Sequence, residues 1–275
     1  MNTNTITRDQ TRLLPQTIWR WEAAPPDLAS LAKNFNPISL KEMDAVALLN
    51  RTDTKLVMPV GQLLVALAAV QRHYRMLVVN SKRLNHYHTL YFDTPDFKLY
   101  NLHVNGHADR YKVRSREYID SGLSFLEVKH RTNKGRTIKE RVRTERQVLQ
   151  MTLEAENWLH GVFPYNAGGL EPKLWSAFTR LTLVSQQYCE RMTLDVNLTL
   201  YATHKMVQLE GLAIAEVKMD ACNQDSPFLA QMRAQRIRLS SFSKYCTGVA
   251  MLYNHVKKNA LKPKLLWLEK MTREL

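Results

Sequence analysis

The chain has 275 residues, of which 45% are hydrophobic, and this is enough for one large domain with a substantial core. It carries 39 lysines and arginines against 25 acidic residues, and the net charge of +14 indicates an anionic partner: nucleic acid, a membrane surface or a phosphate-rich molecule. No run of about 18 apolar residues occurs, which argues against a membrane-spanning helix.

Three regions are predicted along the chain. Residues 1–34 are polar and then rich in Ala and Pro, and we expect a loosely ordered arm. Residues 35–256 are expected to form the main domain, and the tail 257–275 contains KPKLLWLEKM, which favours an amphipathic helix. Capping residues, N-terminal prolines and the spacing of apolar residues predict helices at 39–50, 59–73, 94–104, 147–163, 226–236 and 243–256.

Eight strands are predicted from alternating and β-branched or aromatic segments. Short links such as IDSG and TNKG favour antiparallel pairing, so the predicted fold class is α+β, with an antiparallel sheet and flanking helices. The predicted strands are 51–59, 85–93, 109–117, 123–131, 136–144, 177–185, 190–200 and 212–219.

Charged residues recur with a period of two on several of these strands, and therefore share one face. Solvated faces usually mix polar residues and both signs of charge, whereas like charges on neighbouring strands repel each other. If the sheet curls shut, the charged faces line one tunnel, which would suit a chain of phosphates. The alternative is a solvated outer face. The charged residues that share this face, strand by strand, are Arg51, Asp53 and Lys55; Arg110, Lys112, Arg114 and Arg116; Glu127, Lys129 and Arg131; Lys139, Arg141 and Arg143; Arg191 and Asp195; Glu216 and Lys218.

Three carboxylates on these faces, Glu127, Asp195 and Glu216, are candidate metal ligands. Enzymes that handle phosphates usually hold Mg²⁺ or Mn²⁺ with one or two carboxylates and with phosphate oxygens. In the alternative interpretation each carboxylate pairs with a neighbouring Arg or Lys, and the sequence leaves both open.

The expected location is cytoplasmic. The first 15 residues contain no apolar signal segment. Cys189, Cys222 and Cys246 are widely spaced and odd in number, which is typical of reduced thiols.

Six segments carry a resemblance to a known family, and they are RTDTKLVM, YFDTPDFKLY, YKVRSREY, FLEVKHRTNKGRTIKERV, LAIAEVKMD and SFSKYCTGVAML. In this order and spacing they resemble the VTC domain, the polyphosphate-polymerase branch of the triphosphate tunnel metalloenzymes. The resemblance covers roughly residues 35–256. It implies an eight-stranded antiparallel tunnel that transfers the γ-phosphate of ATP to a polyphosphate chain with Mn²⁺ or Mg²⁺.

The resemblance also implies roles for individual residues. Glu216 matches the family's metal-binding glutamate, and Ser243 and Lys244 match a Ser-Lys pair at a helix start that favours phosphate. Phe178 stands where the family commonly has Tyr. Arg51, Arg116 and Arg141 are expected to bind substrate, as members of the charged faces. The residues that match the family's tunnel cations are Lys55, Lys112, Arg114, Lys129, Lys139 and Arg180.

Three kinds of function stay open besides the polymerase. The hydrolytic tunnel enzymes carry Glu-x-Glu-x-Lys on the first strand, where this chain has Arg51, Asp53 and Lys55, so phosphate is favoured over water as acceptor. A polyphosphate or inositol-phosphate binder without turnover is the second alternative. Nucleic acid is disfavoured, because tyrosines at such strand positions are more often packing residues. The resemblance further implies a membrane-protein partner, and the oligomeric state is open.

Overall fold

The computed structural model describes residues 24–45, 51–202, 204–220 and 226–273. In these ranges the chain forms eight α-helices and eleven β-strands. The helices are α1 (Pro26–Lys33), α2 (Leu40–Ala45), α3 (Val60–Val70), α4 (Lys98–Val104), α5 (Leu153–His160), α6 (Pro227–Ala234), α7 (Lys244–Leu252) and α8 (Lys262–Arg273). The strands are β1 (Asn36–Ile38), β2 (Arg51–Pro59), β3 (Tyr74–Leu77), β4 (Asn85–Asp93), β5 (Arg110–Tyr118), β6 (Leu123–Arg131), β7 (Thr137–Thr144), β8 (Glu171–Ser185), β9 (Glu190–Ala202), β10 (Lys205–Leu209) and β11 (Leu212–Asp220).

The eight predicted strands form one continuous antiparallel path, in the order β2-β11-β9-β8-β4-β5-β6-β7. The predicted α+β class and the antiparallel eight-strand arrangement are therefore confirmed. Three short strands, β1, β3 and β10, are additional. They have three to five residues each, which is too few for a clear alternation.

The sheet is not closed into a complete barrel. Within the described ranges β2 and β7 are the two ends of the path, and no strand pairing joins them. Lys55 of β2 and Lys139 of β7 nevertheless line the same cavity, so the curl brings both ends to one space. The expectation that the sheet curls fully shut is wrong in this respect, since the two end strands line one cavity without pairing.

On the face of the sheet opposite the charged residues, apolar side chains pack against helices. One cluster joins β2, β8, β9 and β11 to α1, α3 and α6, and a second joins β4, β5 and β6 to α5. A third cluster packs α4, α7 and α8 around one end of the curled sheet. With its apolar face covered in this way, the sheet turns its charged face toward the remaining space.

The two ends of the domain differ from the prediction. Residues Pro26–Lys33 form helix α1, whose Leu28 and Ala32 are fully buried, whereas a loosely ordered arm was expected over residues 1–34. Residues 1–23 lie outside the described ranges. The tail contains the expected helix, α8, but Leu268 is fully buried against the core. The tail is thus packed as part of the domain.

Helix caps explain where several helices start. Ser226 caps α6 through its side chain, as predicted, and Ser243 caps α7 in the same way. Helix α4 begins at Lys98 rather than near Thr94, because buried Asp93 accepts hydrogen bonds from the backbone N–H groups of Leu99 and Tyr100, each at 2.8 Å.

Among the described helices, none combines the length and apolar character required to cross a bilayer.

Candidate functional site

The charged face of the sheet surrounds two adjoining cavities, of about 280 Å³ and about 610 Å³, which we call the inner and the outer cavity. Because they have seven lining residues in common, they form one continuous space, which we call the bore. The shared residues are Asp53, Lys55, Lys112, Lys129, Thr137, Phe242 and Ser243.

The inner cavity is strongly cationic. Nine lysines and arginines line it against three carboxylates, and eleven of the fourteen predicted site residues are among the lining residues. The eleven are Lys55, Lys112, Arg114, Arg116, Lys129, Lys139, Arg180, Asp195, Glu216, Ser243 and Lys244. Strand register produces this concentration. Lys129 on β6 lies opposite both Lys112 on β5 and Lys139 on β7, so three lysines stand side by side.

The other three predicted site residues are not among the residues that line the inner cavity. Arg141 is exposed, and its guanidinium lies 4.8 Å from the ring centre of Phe125 instead of lining the bore. Glu127 is fully buried behind the cavity wall. The side chain of Arg51 lies outside the described residues.

Glu127 forms a buried ion-pair cluster. Arg114 Nε donates to Glu127 Oε2 at 2.7 Å, and Lys139 Nζ lies 2.5 Å from Glu127 Oε1. Burial alone would raise the pKa of Glu127, but the charges of Arg114, Arg116 and Lys139 hold that pKa well below its usual range. Glu127 therefore stays ionised and fixes Arg114 and Lys139, which is the ion-pair alternative left open by the sequence.

Asp195 has the same role at the opposite wall. Arg180 forms a bidentate pair with it, at 2.6 and 2.8 Å, and Lys244 Nζ bonds Oδ2 as well. Burial opposes ionisation of Asp195, yet Arg180 and Lys244 lower its pKa to about 2. Both cations also lie over the ring of Phe178, at 5.1 and 4.3 Å from its centre. Phe178 thus supplies a cation–π surface where the family commonly has a tyrosine.

Glu216 is more accessible than the other two carboxylates. Its side chain is 23% exposed, compared with 1% for Glu127 and 4% for Asp195. Lys55 Nζ lies 2.7 Å from Oε2 and Lys218 Nζ 3.0 Å from Oε1. Burial would raise the pKa of Glu216, but these two lysines keep it well below the usual range.

The described residues contain no group of three or more His, Cys, Asp or Glu side chains placed to hold a metal ion. A preformed protein cage for the predicted Mn²⁺ or Mg²⁺ is therefore absent from these ranges. Glu216 faces the inner cavity and can offer one carboxylate oxygen. The donor set fits an ion held by one carboxylate together with phosphate oxygens, which is how Mg²⁺ is usually held in nucleotide sites.

Lys112 and Lys129 have no carboxylate partner among the described residues. Lys112 Nζ donates to Ser243 Oγ at 3.1 Å, and Ser243 also accepts the backbone N–H of Cys246 at the start of α7. Burial lowers the pKa of Lys129 to about 8, and the nearby charge of Glu216 offsets this only in part because Lys55 and Lys112 act against it. These two lysines are available for an incoming anion.

Arg116 is a third cation of the inner cavity that forms no direct ion pair among the described residues, although its charge acts on Glu127. It is buried, and its Nε donates to Thr89 Oγ1 at 3.1 Å. Tyr91 lines the inner cavity beside it and was not predicted as a site residue. The position of Tyr91 could have been predicted from the alternation along β4, because Tyr87, Thr89 and Tyr91 share a face opposite Leu90 and Phe92.

Comparison with known proteins gives a family match for most of the chain. The model of the VTC domain family matches residues 50–253. A search of curated proteins found no significant match.

Similar solved structures include candidate adenylate cyclases from Vibrio parahaemolyticus (15% identity, 70% of this chain and 94% of that chain, TM-score 0.40) and Bacillus halodurans (11%, 74% and 98%, TM-score 0.44). Another is a candidate adenylyl cyclase from Hippeastrum described as having a dominant triphosphatase activity (13%, 73% and 95%, TM-score 0.38). Because these TM-scores are below 0.5, the family match alone carries the assignment.

Proposed function

The chain belongs to the VTC domain family, and on that premise we propose that it is a polyphosphate polymerase, which transfers the γ-phosphate of ATP to a growing polyphosphate chain in the bore. The observation that carries this proposal is the inner cavity, where nine cations face three carboxylates. Such a surplus of positive charge is unfavourable when the cavity is empty and favourable when phosphates fill it.

Phosphoryl transfer depends mainly on positioning and on neutralising charge. Lys112, Lys129 and Arg116, which lack carboxylate partners, are the groups that bind phosphate oxygens directly. Arg180 and Lys244 are held in fixed positions by Asp195, so they present charge without having to reorganise during the transfer. The terminal phosphate of the acceptor is already an anionic nucleophile and requires no strong base.

The carboxylates favour transfer over hydrolysis. Water needs a base to orient and deprotonate it. Glu127, Asp195 and Glu216 are each paired with two cations, and their pKa values are lowered, which makes them weak bases. The first strand has Arg51 and Asp53 where the hydrolytic enzymes have two glutamates.

Glu216 is the residue that would hold a divalent ion, together with the phosphates of the substrate. Such an ion neutralises charge on the transferring phosphoryl group when it is bound. Incoming phosphates compete for Lys55 and Lys218, and this frees the oxygens of Glu216 that the two lysines otherwise engage.

Purified protein with ATP and Mn²⁺ or Mg²⁺ is expected to form polyphosphate. The product is measured on a stained gel, with digestion by a polyphosphatase as the control for its identity. ADP and free phosphate without polymer would instead indicate a triphosphatase. Binding of polyphosphate without any turnover would indicate a sensor.

Exchange of Glu216 for glutamine should raise the metal concentration needed for half-maximal activity by at least about tenfold, since loss of even an indirect ligand contact commonly costs that much. The KM for ATP at saturating metal should change much less. Glu210→Gln, an exposed glutamate in the turn before β11, is the matched control. An unchanged metal titration for Glu216→Gln would remove this residue from the metal site.

A further inference from the structure

The outer cavity has cations of its own. Arg110, Arg131 and Lys264 line it and do not line the inner cavity, and Asp53 is the one carboxylate among its described lining residues. Its volume of about 610 Å³ is more than twice the 280 Å³ of the inner cavity. Space and positive charge therefore continue beyond the residues assigned to phosphoryl transfer.

The hydrogen-bond partners of Arg110 and Lys264 are neutral. Lys264 Nζ donates to the carbonyl oxygen of Ser241 and, at 2.9 Å, to Ser241 Oγ. Arg110 donates to His103 Nδ1 at 3.2 Å and to the carbonyl oxygen of His107 at 2.6 Å. Unlike Arg114, Arg180 and Lys139 in the inner cavity, none of the three is paired with a carboxylate in the described part of the chain.

His103 shows the effect of this uncompensated charge. Burial, together with the charges of Lys112, Arg110, Lys129 and Lys264, lowers its pKa to about 3, so it is neutral and can accept from Arg110. Burial is the largest cause of this shift, and the lysine and arginine charges that add to it are favourable for an anion at this wall.

We propose that Arg110, Arg131 and Lys264 form an extension subsite, which binds the phosphates of a polyphosphate chain that has grown beyond the inner cavity. This inference rests on the proposed function in one respect, that the inner cavity holds the reacting phosphates. Lys264 belongs to α8, which lies outside the region matched by the family model, residues 50–253. The subsite therefore gives this chain a preference for long polyphosphate that depends on its C-terminal helix.

The lining favours polyphosphate over single-stranded RNA. Proteins that bind single strands stack bases on exposed aromatic rings. The described lining of the outer cavity has one such ring, Phe242, which is only 5% exposed, and the imidazole of His103 is already bonded to Arg110. The wall thus provides positive charge and hydroxyl groups but no stacking surface.

The test is to measure the Kd of the full chain for tripolyphosphate and for long-chain polyphosphate, without ATP. Lys264→Ala is expected to weaken long-chain binding about tenfold, the loss typical of one charge-assisted contact, and tripolyphosphate binding less than about twofold. The slope of log Kd against log salt for the long chain should fall by about one. Lys262→Ala is the matched control, because Lys262 is an exposed lysine of the same helix that does not line the bore.

Equal losses for both ligands, or no loss for either, would overturn the extension subsite. So would single-stranded RNA of similar charge that binds as tightly as polyphosphate and depends equally on Lys264. Arg131→Ala provides a second variant at an exposed position, where substitution is expected to change stability by less than about 0.5 kcal/mol. Because no turnover is measured, a chain that fails to polymerise can still confirm the extension subsite. Absence of tripolyphosphate binding in the wild type would instead contradict the proposed function.

Discussion

Replacement of Lys129 by methionine is expected to lower the rate of phosphoryl transfer by about 100-fold or more, the usual cost of removing one preorganised charged donor. Lys129 lines both cavities and has no carboxylate partner in the described ranges. Methionine keeps the apolar stem and removes only the ammonium group. Polyphosphate formed per unit time is the measurement, and Lys134→Met, at an exposed position in the turn between β6 and β7, is the control.

The same substitution is expected to raise the melting temperature at pH 7 by a few degrees. The pKa of Lys129 is about 8 in the folded protein and about 10.4 in an unfolded chain, so folding disfavours its protonated form. This cost is complete below pH 8 and disappears as the pH rises to about 10.4. The gain in melting temperature should disappear over the same range. A fall in melting temperature at pH 7 would mean that Lys129 belongs to a structural ion pair.

Exchange of Asp195 for asparagine is expected to destabilise the fold by about 3–5 kcal/mol, because breaking a buried ion pair leaves charges uncompensated. Asp195 is 3% exposed and holds both Arg180 and Lys244. Its pKa is about 2 in the folded protein and about 3.9 unfolded, so its contribution is complete above pH 4 and is lost as the pH falls toward 2. Chemical denaturation at pH 7 measures the full difference.

Bound tripolyphosphate should restore part of this loss, because its oxygens can replace the missing carboxylate beside Arg180 and Lys244. The ligand-induced rise in melting temperature is therefore expected to be larger for Asp195→Asn than for wild type. Asp109→Asn, at a 54% exposed aspartate, is the control and should change stability little. A variant of Asp195 with wild-type stability would show that the two cations need no internal counter-charge.

Most of the strand pattern could be predicted from the sequence, and so could most of the charged lining of the candidate site. All eight long strands have alternating or β-branched segments, and eleven of the fourteen predicted site residues line the inner cavity. The exceptions have separate causes. Arg141 lies on β7, an edge strand with mostly exposed side chains, where its guanidinium reaches the ring of Phe125. Helix α1 has too few residues to show a clear period, and its burial depends on distant strands.

The amino-acid sequence by itself determined which side chains share the charged face, because residues at i and i+2 on a strand point the same way whatever the strand pairs with. Only the tertiary structure decided how those charges are divided. It joins Arg114 to Glu127, and Arg180 and Lys244 to Asp195, while it leaves Lys129 without a carboxylate. It also brings Lys264 from the C-terminal helix to the outer cavity. Strand register and helix packing between residues far apart in the chain set these contacts, and no local pattern encodes them.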